Sequence, residues 1–262
     1  MPCLIVPSFF SLRDLIKIKL DTLSADKNSF SGIQICKVLN LLSEEGFSKN
    51  DIASDVLPSL GMISSKRLVG QLIDLQKKLV TFKQHTESFL PESLMTMGYE
   101  DLLPLLKFSN LDFLYVVRLS EIMKVKGKKW RNLLQVLEEL IRLRETTAEE
   151  ILHYPEIKKI IENSNIQGPV RYRLLKHQLD ILRYPELSKM QKIFDQNIKI
   201  LKLHKGINLE SDHYFENDEL ALKIKFSSVN ELRDRLMNLS NTVNTVNLIN
   251  VWNDLFSILR GK

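Results

Sequence analysis

Apolar residues recur at intervals of three and four positions along most of the chain, which is the period of an α-helix. Residues 2–7 read as a short extended piece, and residues 12–23 as a first amphipathic helix. Three further helices are expected between residues 32 and 79, because Gly46 and Gly61 stand where glycine commonly ends a helix. The pattern therefore predicts a helical opening region.

The predicted helices of this region begin at capping residues. Ser48 is a good N-cap, and Asp51, three residues later, completes a start that resembles a capping box. Ser64 or Ser65 caps the next helix. The apolar residues of that helix fall in one narrow stripe, made of Leu68, Leu72, Leu75 and Leu79. Its other face is predicted to be polar and free.

The period changes near the carboxyl end of the chain. Residues 91–166 keep the helical period, with breaks that predict a second bundle of about four helices. Within residues 186–240, strict alternation replaces that period at Leu220, Leu222, Ile224 and Phe226. The alternation predicts a two-stranded antiparallel hairpin with one buried face, set between two helices. Residues 242–259 form an amphipathic tail with Trp252 on its apolar stripe.

The fold class predicted from these patterns is mainly α. Helical bundles that contain a helix-turn-helix are followed by a small α+β unit of helix, hairpin and helix. Four regions are expected: a helix-turn-helix region at 1–82, a helical bundle at 83–167, a helical arm with the α-β-β-α unit at 168–240, and a C-terminal amphipathic helix at 241–262.

Composition is that of an ordinary folded protein, with 44% hydrophobic and 26% charged residues. The two cysteines, Cys3 and Cys36, cannot build a disulfide framework, which favours a reducing, cytoplasmic setting. The longest apolar runs are far shorter than the roughly 20 residues that a membrane helix needs. We therefore expect no membrane partner.

Candidate catalytic chemistry is not visible in the sequence. It has no glycine-rich phosphate loop, no paired metal-binding histidines and no nucleophile elbow. His213, Glu216, Asp218 and Glu219 crowd the hairpin loop, and a solvated acidic loop is preferred over a cation site there. We therefore expect no enzyme activity, no cofactor and no metal.

Basic residues cluster in two segments of the chain. Residues 124–144 hold seven lysines and arginines against two glutamates, and residues 168–205 hold nine against three acidic residues. Since the formal net charge is only +5, the remainder of the chain is acidic. Clustered positive charge suits a phosphate backbone, because neutralised phosphates release counterions. A solvated helix face is the alternative interpretation.

Residues 32–79 resemble a helix-turn-helix, in which the second helix of the motif enters the major groove. The predicted DNA contacts in this region are Ser48, Lys49, Ser64, Ser65, Lys66, Arg67 and Gln71. Further phosphate contacts are predicted at Lys128, Lys129, Arg131, Arg171 and Arg173. The connection at 57–61 is about four residues longer than a tight helix-turn-helix has, a length that can re-aim the second helix.

Several segments together resemble a known family. Residues 39–53 are similar to its central DNA-binding helices, and residues 57–61 with 64–75 look like its extended turn and recognition helix. Residues 182–187 and 214–216 are similar to a C-terminal region of the same branch. The family is that of the ParB-like chromosome and plasmid partition proteins, in particular the longer, divergent members. The resemblance implies DNA binding near the nucleoid, with a homodimer and a partition ATPase as candidate partners.

One part of the family pattern is missing. Family members bind CTP in an N-terminal domain, through an arginine-rich Gly-x-Arg-Arg type motif and a following Glu-Asn-x-x-Arg segment. The first motif is absent, and the counterpart of the second is residues 21–24, with Thr22 in place of the asparagine. Nucleotide switching is therefore not expected in this chain.

Two functions remain open from the sequence. The first is a non-enzymatic protein that binds duplex DNA through the helix-turn-helix and the basic helical surfaces. The alternative is a degenerate ParB-like remnant that no longer binds DNA and acts as a helical protein–protein interaction module, through the hairpin edge and the Trp252 tail. A tail that folds back on the chain's own core is the preferred interpretation of this terminal amphipathic helix.

Overall fold

A computed structural model describes residues 30–86, 90–212, 220–244 and 246–259. Several sequence predictions lie outside these described residues: the extended piece 2–7, the helix 12–23, the segment 21–24, the acidic loop residues from His213 to Glu219, and residues 214–216. The described chain is mainly helical with one small sheet, as predicted. It divides into two compact units, the first ending at Leu179 and the second beginning at Asp180.

The described part of the first unit begins with the three helices that the pattern predicts between residues 32 and 79. Helix α1 spans Gly32–Glu44, α2 spans Lys49–Asp51, and α3 spans Lys66–Thr86. Helix α2 continues as a π-helical turn at Ile52–Val56 and a 3-10 turn at Pro58–Leu60. Both α1 and α2 pack against α3, so α3 is the central helix of this group.

Glycine ends the first two of these segments, as the sequence predicts. Gly46 and Gly61 both have positive φ, at 87° and 70°. At the second turn, the Gly61 amide donates to the Pro58 carbonyl at 2.9 Å, and the Met62 amide donates to the Leu57 carbonyl at 2.9 Å. This pair of bonds is a Schellman motif, which needs a left-handed residue at the glycine position. The chain then returns to the core at Met62, which is buried.

The rest of the first unit has more and shorter helices than the four or so predicted. Their bounds are Glu92–Met95 (α4), Tyr99–Leu102 (α5) with a 3-10 turn at Leu103–Lys107, Asn110–Met123 (α6), Lys128–Arg144 (α7), Ala148–Leu152 (α8) and Pro155–Glu162 (α9). Helix α10, Gly168–Arg183, follows and runs past the boundary of the unit. Trp130 and Phe113 are the bulkiest fully buried side chains.

Two buried carboxylates hold helix starts in this unit. Asp101 accepts a hydrogen bond of 2.7 Å from the Gly127 amide at the N-cap of α7. Asp112 accepts one of 2.6 Å from the Ala148 amide at the start of α8. Each carboxylate satisfies a donor that the helix itself leaves unpaired. Both bonds join residues that are far apart in sequence.

The second unit is the predicted helix, hairpin and helix, followed by the tail helix. Helix α11 spans Pro185–Leu201, strands β1 and β2 span Ile207–Ser211 and Leu220–Ile224, and α12 and α13 span Val229–Asn244 and Val246–Leu259. The strands are antiparallel, as predicted. None of the described helices is long and apolar enough to cross a membrane.

The predicted buried face of the hairpin is only partly covered. Ile207 lies opposite Ile224, and Leu209 lies opposite Leu222. Ile207 and Leu209 are buried, whereas Leu222 is exposed. Burial on this face therefore belongs mainly to β1.

The tail helix α13 packs against α11, as expected for a terminal amphipathic helix that folds back on the chain's own core and not for a free binding element. Phe194, Leu201, Leu209 and Val251 form a buried apolar cluster, and Trp252 packs against it. The tail is therefore part of the core of the second unit.

Candidate nucleic-acid interface

The start of α3 carries the predicted recognition residues. Of the two serines predicted as its N-cap, Ser65 is the one that caps α3, because its Oγ accepts a hydrogen bond from the Leu68 amide at 3.2 Å. Ser64 is exposed, one residue further out. The cap fixes the first turn of α3, so the side chains that follow it have defined directions.

Lys66 and Arg67 project from the free face of α3. Both side chains are exposed, while Val69 and Leu72 on the other face are completely buried. Within the described part of the chain, neither cation has a hydrogen-bond or ion-pair partner. Gln71, one turn later, is half-buried. The cationic side of the predicted recognition helix therefore faces solvent.

A third cation joins this face from α2. The Lys49 Nζ lies 3.4 Å from the point that a Cβ on Gly70 would occupy. Gly70 follows Lys66 and Arg67 by one helical turn, so these positions share a face. We call Lys49, Lys66 and Arg67 the α3 cationic group. The neighbouring Ser48 is occupied as the cap of α2, since its Oγ accepts a hydrogen bond from the Asp51 amide at 3.2 Å and donates to Asp51 Oδ2 at 2.7 Å.

The charge of α3 changes beyond its first two turns. Asp74 is exposed and would repel a phosphate backbone. Lys78 is directed toward the protein, because its Nζ donates to the Phe108 carbonyl and lies 5.1 Å from the centre of the Phe113 ring. Burial lowers the pKa of Lys78, and the Asp112 carboxylate opposes that shift. Lys77 and Lys83 are also exposed further along α3, so what distinguishes the start of the helix is the grouping of three cations on one face.

A second basic surface forms where α7 and α10 begin. The Lys129 Nζ lies 5.9 Å from the centre of the Tyr172 ring, while Lys128 and Arg173 are exposed nearby in sequence. Gly168 lets the start of α10 lie against the carboxyl end of α6, because a Cβ there would lie 2.9 Å from the Met123 carbonyl oxygen. We call Lys128, Lys129, Tyr172 and Arg173 the second basic patch.

Two of the predicted phosphate contacts, Arg131 and Arg171, have hydrogen-bond partners within the protein. Arg131 Nη1 donates to Asp101 Oδ1 at 2.7 Å and to Glu100 Oε2 at 3.3 Å. The Arg171 guanidinium donates to the carbonyls of Ile122, at 2.8 Å, and Asn163, at 2.7 Å. These contacts tie Arg131 to α5 and Arg171 to the carboxyl ends of α6 and α9, so both guanidinium groups are engaged within the protein.

The sequence predicts Lys49 as a contact but could not show that it lies beside Gly70, and it gives no indication of Tyr172. The proximity of Lys49 to Gly70 depends on how α2 packs on α3, and Tyr172 becomes relevant only because α10 starts beside α7. Neither contact leaves a local signal. Aromatic rings beside cations suit nucleic acids, because they add a stacking surface to an electrostatic one.

The described residues offer little for metal chemistry. Among them, no group of three or more histidine, cysteine, aspartate or glutamate side chains is arranged to hold a metal ion. What the geometry offers is positive charge on helix starts, which suits phosphate groups.

Comparisons with family models, with curated proteins and with solved structures gave no match to this chain. The ParB-like relationship accordingly stays a prediction from the residues quoted above.

Proposed function

We propose that this chain is a non-enzymatic protein that binds duplex DNA through the start of α3. The observation that carries the proposal is the exposure of Lys66 and Arg67 together with the packing of Lys49 onto the same face at Gly70. A recognition helix contacts base edges with its N-terminal residues, and that is where these cations lie.

The chemistry of each side chain suggests its role in the complex. Lys66 and Lys49 neutralise phosphates, whereas Arg67 and Gln71 have the donors to reach base edges. Ser64 and the unpaired amides of the first turn add neutral donors for a phosphate. The second basic patch adds backbone contacts that carry no sequence information.

The test is a fluorescence anisotropy titration of the full chain against a random-sequence duplex at several salt concentrations. The Lys66→Ala/Arg67→Ala variant should bind at least tenfold more weakly. It should also lose roughly one unit of the salt slope, because Lys66 is the phosphate contact of the pair and each such contact contributes about one. Lys83→Ala is the matched control, since this exposed lysine lies about 25 Å further along α3.

Two outcomes would contradict the proposal. One is duplex affinity that does not depend on salt. The other is an equal loss of affinity in the double variant and in the Lys83→Ala control. Circular dichroism distinguishes a binding defect from unfolding, and the exposed positions of both substituted cations predict unchanged helix content.

By its resemblance to ParB-like proteins, the biological setting that we propose is chromosome or plasmid partition, with the protein associated with the nucleoid. A partition ATPase is the corresponding candidate partner. Microscopy of a fluorescent fusion tests this setting. We expect the fluorescence to colocalise with the nucleoid in the wild type and to spread through the cell in the Lys66→Ala/Arg67→Ala variant. Wild-type fluorescence that does not colocalise with the nucleoid would refute this setting.

A second candidate function, a protein–protein interaction module, is favoured by α12. Val229, Leu236 and Val243 follow one another at seven-residue spacing and are 73%, 47% and 45% exposed. Leu232 and Leu239 lie between them and are half-buried. This spacing is the apolar seam by which two helices pack along each other. We propose a second copy of this chain as the occupant, which also agrees with the homodimer implied by the family resemblance.

Light scattering over a concentration series tests the dimer. Leu236→Lys should reduce the mass to that of a monomer, because it places a charge in the centre of the seam. Met237→Lys is the control, since Met237 is 59% exposed but lies off the seven-residue series. A monomeric wild-type protein, or an equal effect of the two variants, would exclude this interface.

A further inference from the structure

An exposed isoleucine precedes the α3 cationic group. Ile63 is 84% exposed, the highest fraction among the large hydrophobic residues of the described part. Single exposed apolar side chains are common on protein surfaces. Ile63 differs from such residues in two respects: its backbone is held on both sides, and it lies immediately before the proposed recognition helix.

The backbone on both sides of Ile63 is anchored. Met62 is buried and its amide is held by the Leu57 carbonyl at 2.9 Å. Two residues after Ile63, Ser65 caps α3. The connector therefore holds an isoleucine in solvent although its neighbour Met62 is packed into the core.

Ile63 also lies within reach of the groove that α3 would enter. Three residues of extended chain span at most about 11 Å, which bounds the distance from Ile63 to Lys66. The major groove is about 12 Å wide, and its apolar feature is the C5-methyl group of thymine. An apolar side chain at the head of a recognition helix matches that feature.

We infer that Ile63 is a specificity-determining residue that packs against thymine methyl groups in the major groove. The inference rests on the proposed function, because it requires α3 to dock on duplex DNA. Its consequence is a preference for thymine. The lysines bound to phosphates do not distinguish bases, and an arginine at a base edge selects guanine.

The test compares a random-sequence duplex pool prepared with thymine and the same pool prepared with uracil, which lacks only the methyl group. The wild-type chain should bind the thymine pool about fourfold more tightly than the uracil pool. Burying one methyl-sized group contributes about 0.8 kcal/mol, and 1.36 kcal/mol corresponds to a tenfold change in affinity. Ile63→Ala should bind both pools equally. Leu111→Ala, an equally simple truncation at a residue that is 76% exposed, should keep the wild-type preference.

The outcomes separate this inference from the proposed function. Salt-dependent binding with the same thymine preference in wild type and Ile63→Ala overturns the role of Ile63 and leaves DNA binding intact. An equal loss of affinity for both pools in Ile63→Ala overturns it as well, since the side chain would then contact the sugar-phosphate backbone. Absence of salt-dependent duplex binding overturns both proposals.

Discussion

At the scale of single residues, Cys36 shows how burial controls chemistry in this chain. Its side chain is fully buried in α1, and burial raises the pKa of the thiol from 9.0 to about 12. The folded chain keeps a proton that the unfolded chain loses above pH 9. The stability contribution of the neutral thiol is therefore complete below pH 9 and is lost between pH 9 and about 12.

This burial predicts an inert thiol. In a Cys3→Ser protein, Cys36 should not react with a thiol reagent at pH 8 on a timescale in which the urea-unfolded chain reacts completely, because thiolate is the reactive form. The measurement is absorbance of the released chromophore with and without urea. Rapid stoichiometric release from the folded protein would show that Cys36 is accessible.

Glycine plays two different roles within the helices of the first unit. A Cβ on Gly32 would lie 2.6 Å from the Tyr99 backbone nitrogen, whereas a Cβ on Gly70 would meet only the end of the Lys49 side chain at 3.4 Å. Backbone cannot move away cheaply, but a flexible lysine can. The first glycine is required by packing and the second is not.

The paired substitutions test this difference. Gly32→Ala should destabilise the fold by about 2 kcal/mol or more, as overpacking does. Gly70→Ala should be neutral or stabilising by up to about 1 kcal/mol, because alanine is the better helix former. Urea unfolding followed by circular dichroism measures both, and equal effects would contradict the close approach of α1 to residues 98 and 99.

At the scale of elements, long-range hydrogen bonds decide where short helices begin. Helix α8 has five residues and would be marginal alone. The Asp112 carboxylate anchors it by accepting from the Ala148 amide, and the same side chain accepts from Ser109 Oγ at 2.6 Å. One aspartate therefore connects the starts of α6 and α8.

Removing this carboxylate should cost stability. Asp112→Ala is expected to destabilise the protein by about 2–3 kcal/mol, because a buried amide would lose a charged acceptor. Asp74→Ala is the matched control: its carboxylate is exposed on α3, and the expected change is within about 0.5 kcal/mol. Equal unfolding midpoints for the two variants would refute the anchoring role of Asp112.

At the scale of the whole molecule, each compact unit contains one tryptophan. Trp130 is fully buried in the first unit, and Trp252 packs against the apolar cluster of the second. Fluorescence of Trp130→Phe and Trp252→Phe proteins can therefore follow the units separately.

A substitution at Phe194 is expected to destabilise the second unit selectively, because Phe194 belongs to the apolar cluster against which Trp252 packs. Phe194→Ala should destabilise the second unit by about 3–5 kcal/mol, the usual cost of truncating a buried phenylalanine. The Trp252 transition should then move to lower denaturant by more than the Trp130 transition does. A Trp252 signal that does not respond would contradict the packing of α13 on this cluster.

Local features of the sequence determined much of the fold. Apolar period, capping serines and helix-ending glycines gave α1, α2, the start of α3, the hairpin and α12, because the signals for these elements lie within a few neighbouring residues. The short helices between residues 91 and 166 were less predictable. Their starts depend on carboxylates such as Asp101 and Asp112, which are distant in sequence.

The roles of the basic residues were decided by the tertiary structure. Lys66 and Arg131 look alike in the sequence, yet the first faces solvent and the second is bound to Asp101. Lys49 joins the α3 face only because α2 packs against Gly70. The sequence by itself determined most of the helical segments and where the positive charge is concentrated. Packing decided which charges are free, since a distant carboxylate or carbonyl pairs with an arginine only after the elements that carry them come together.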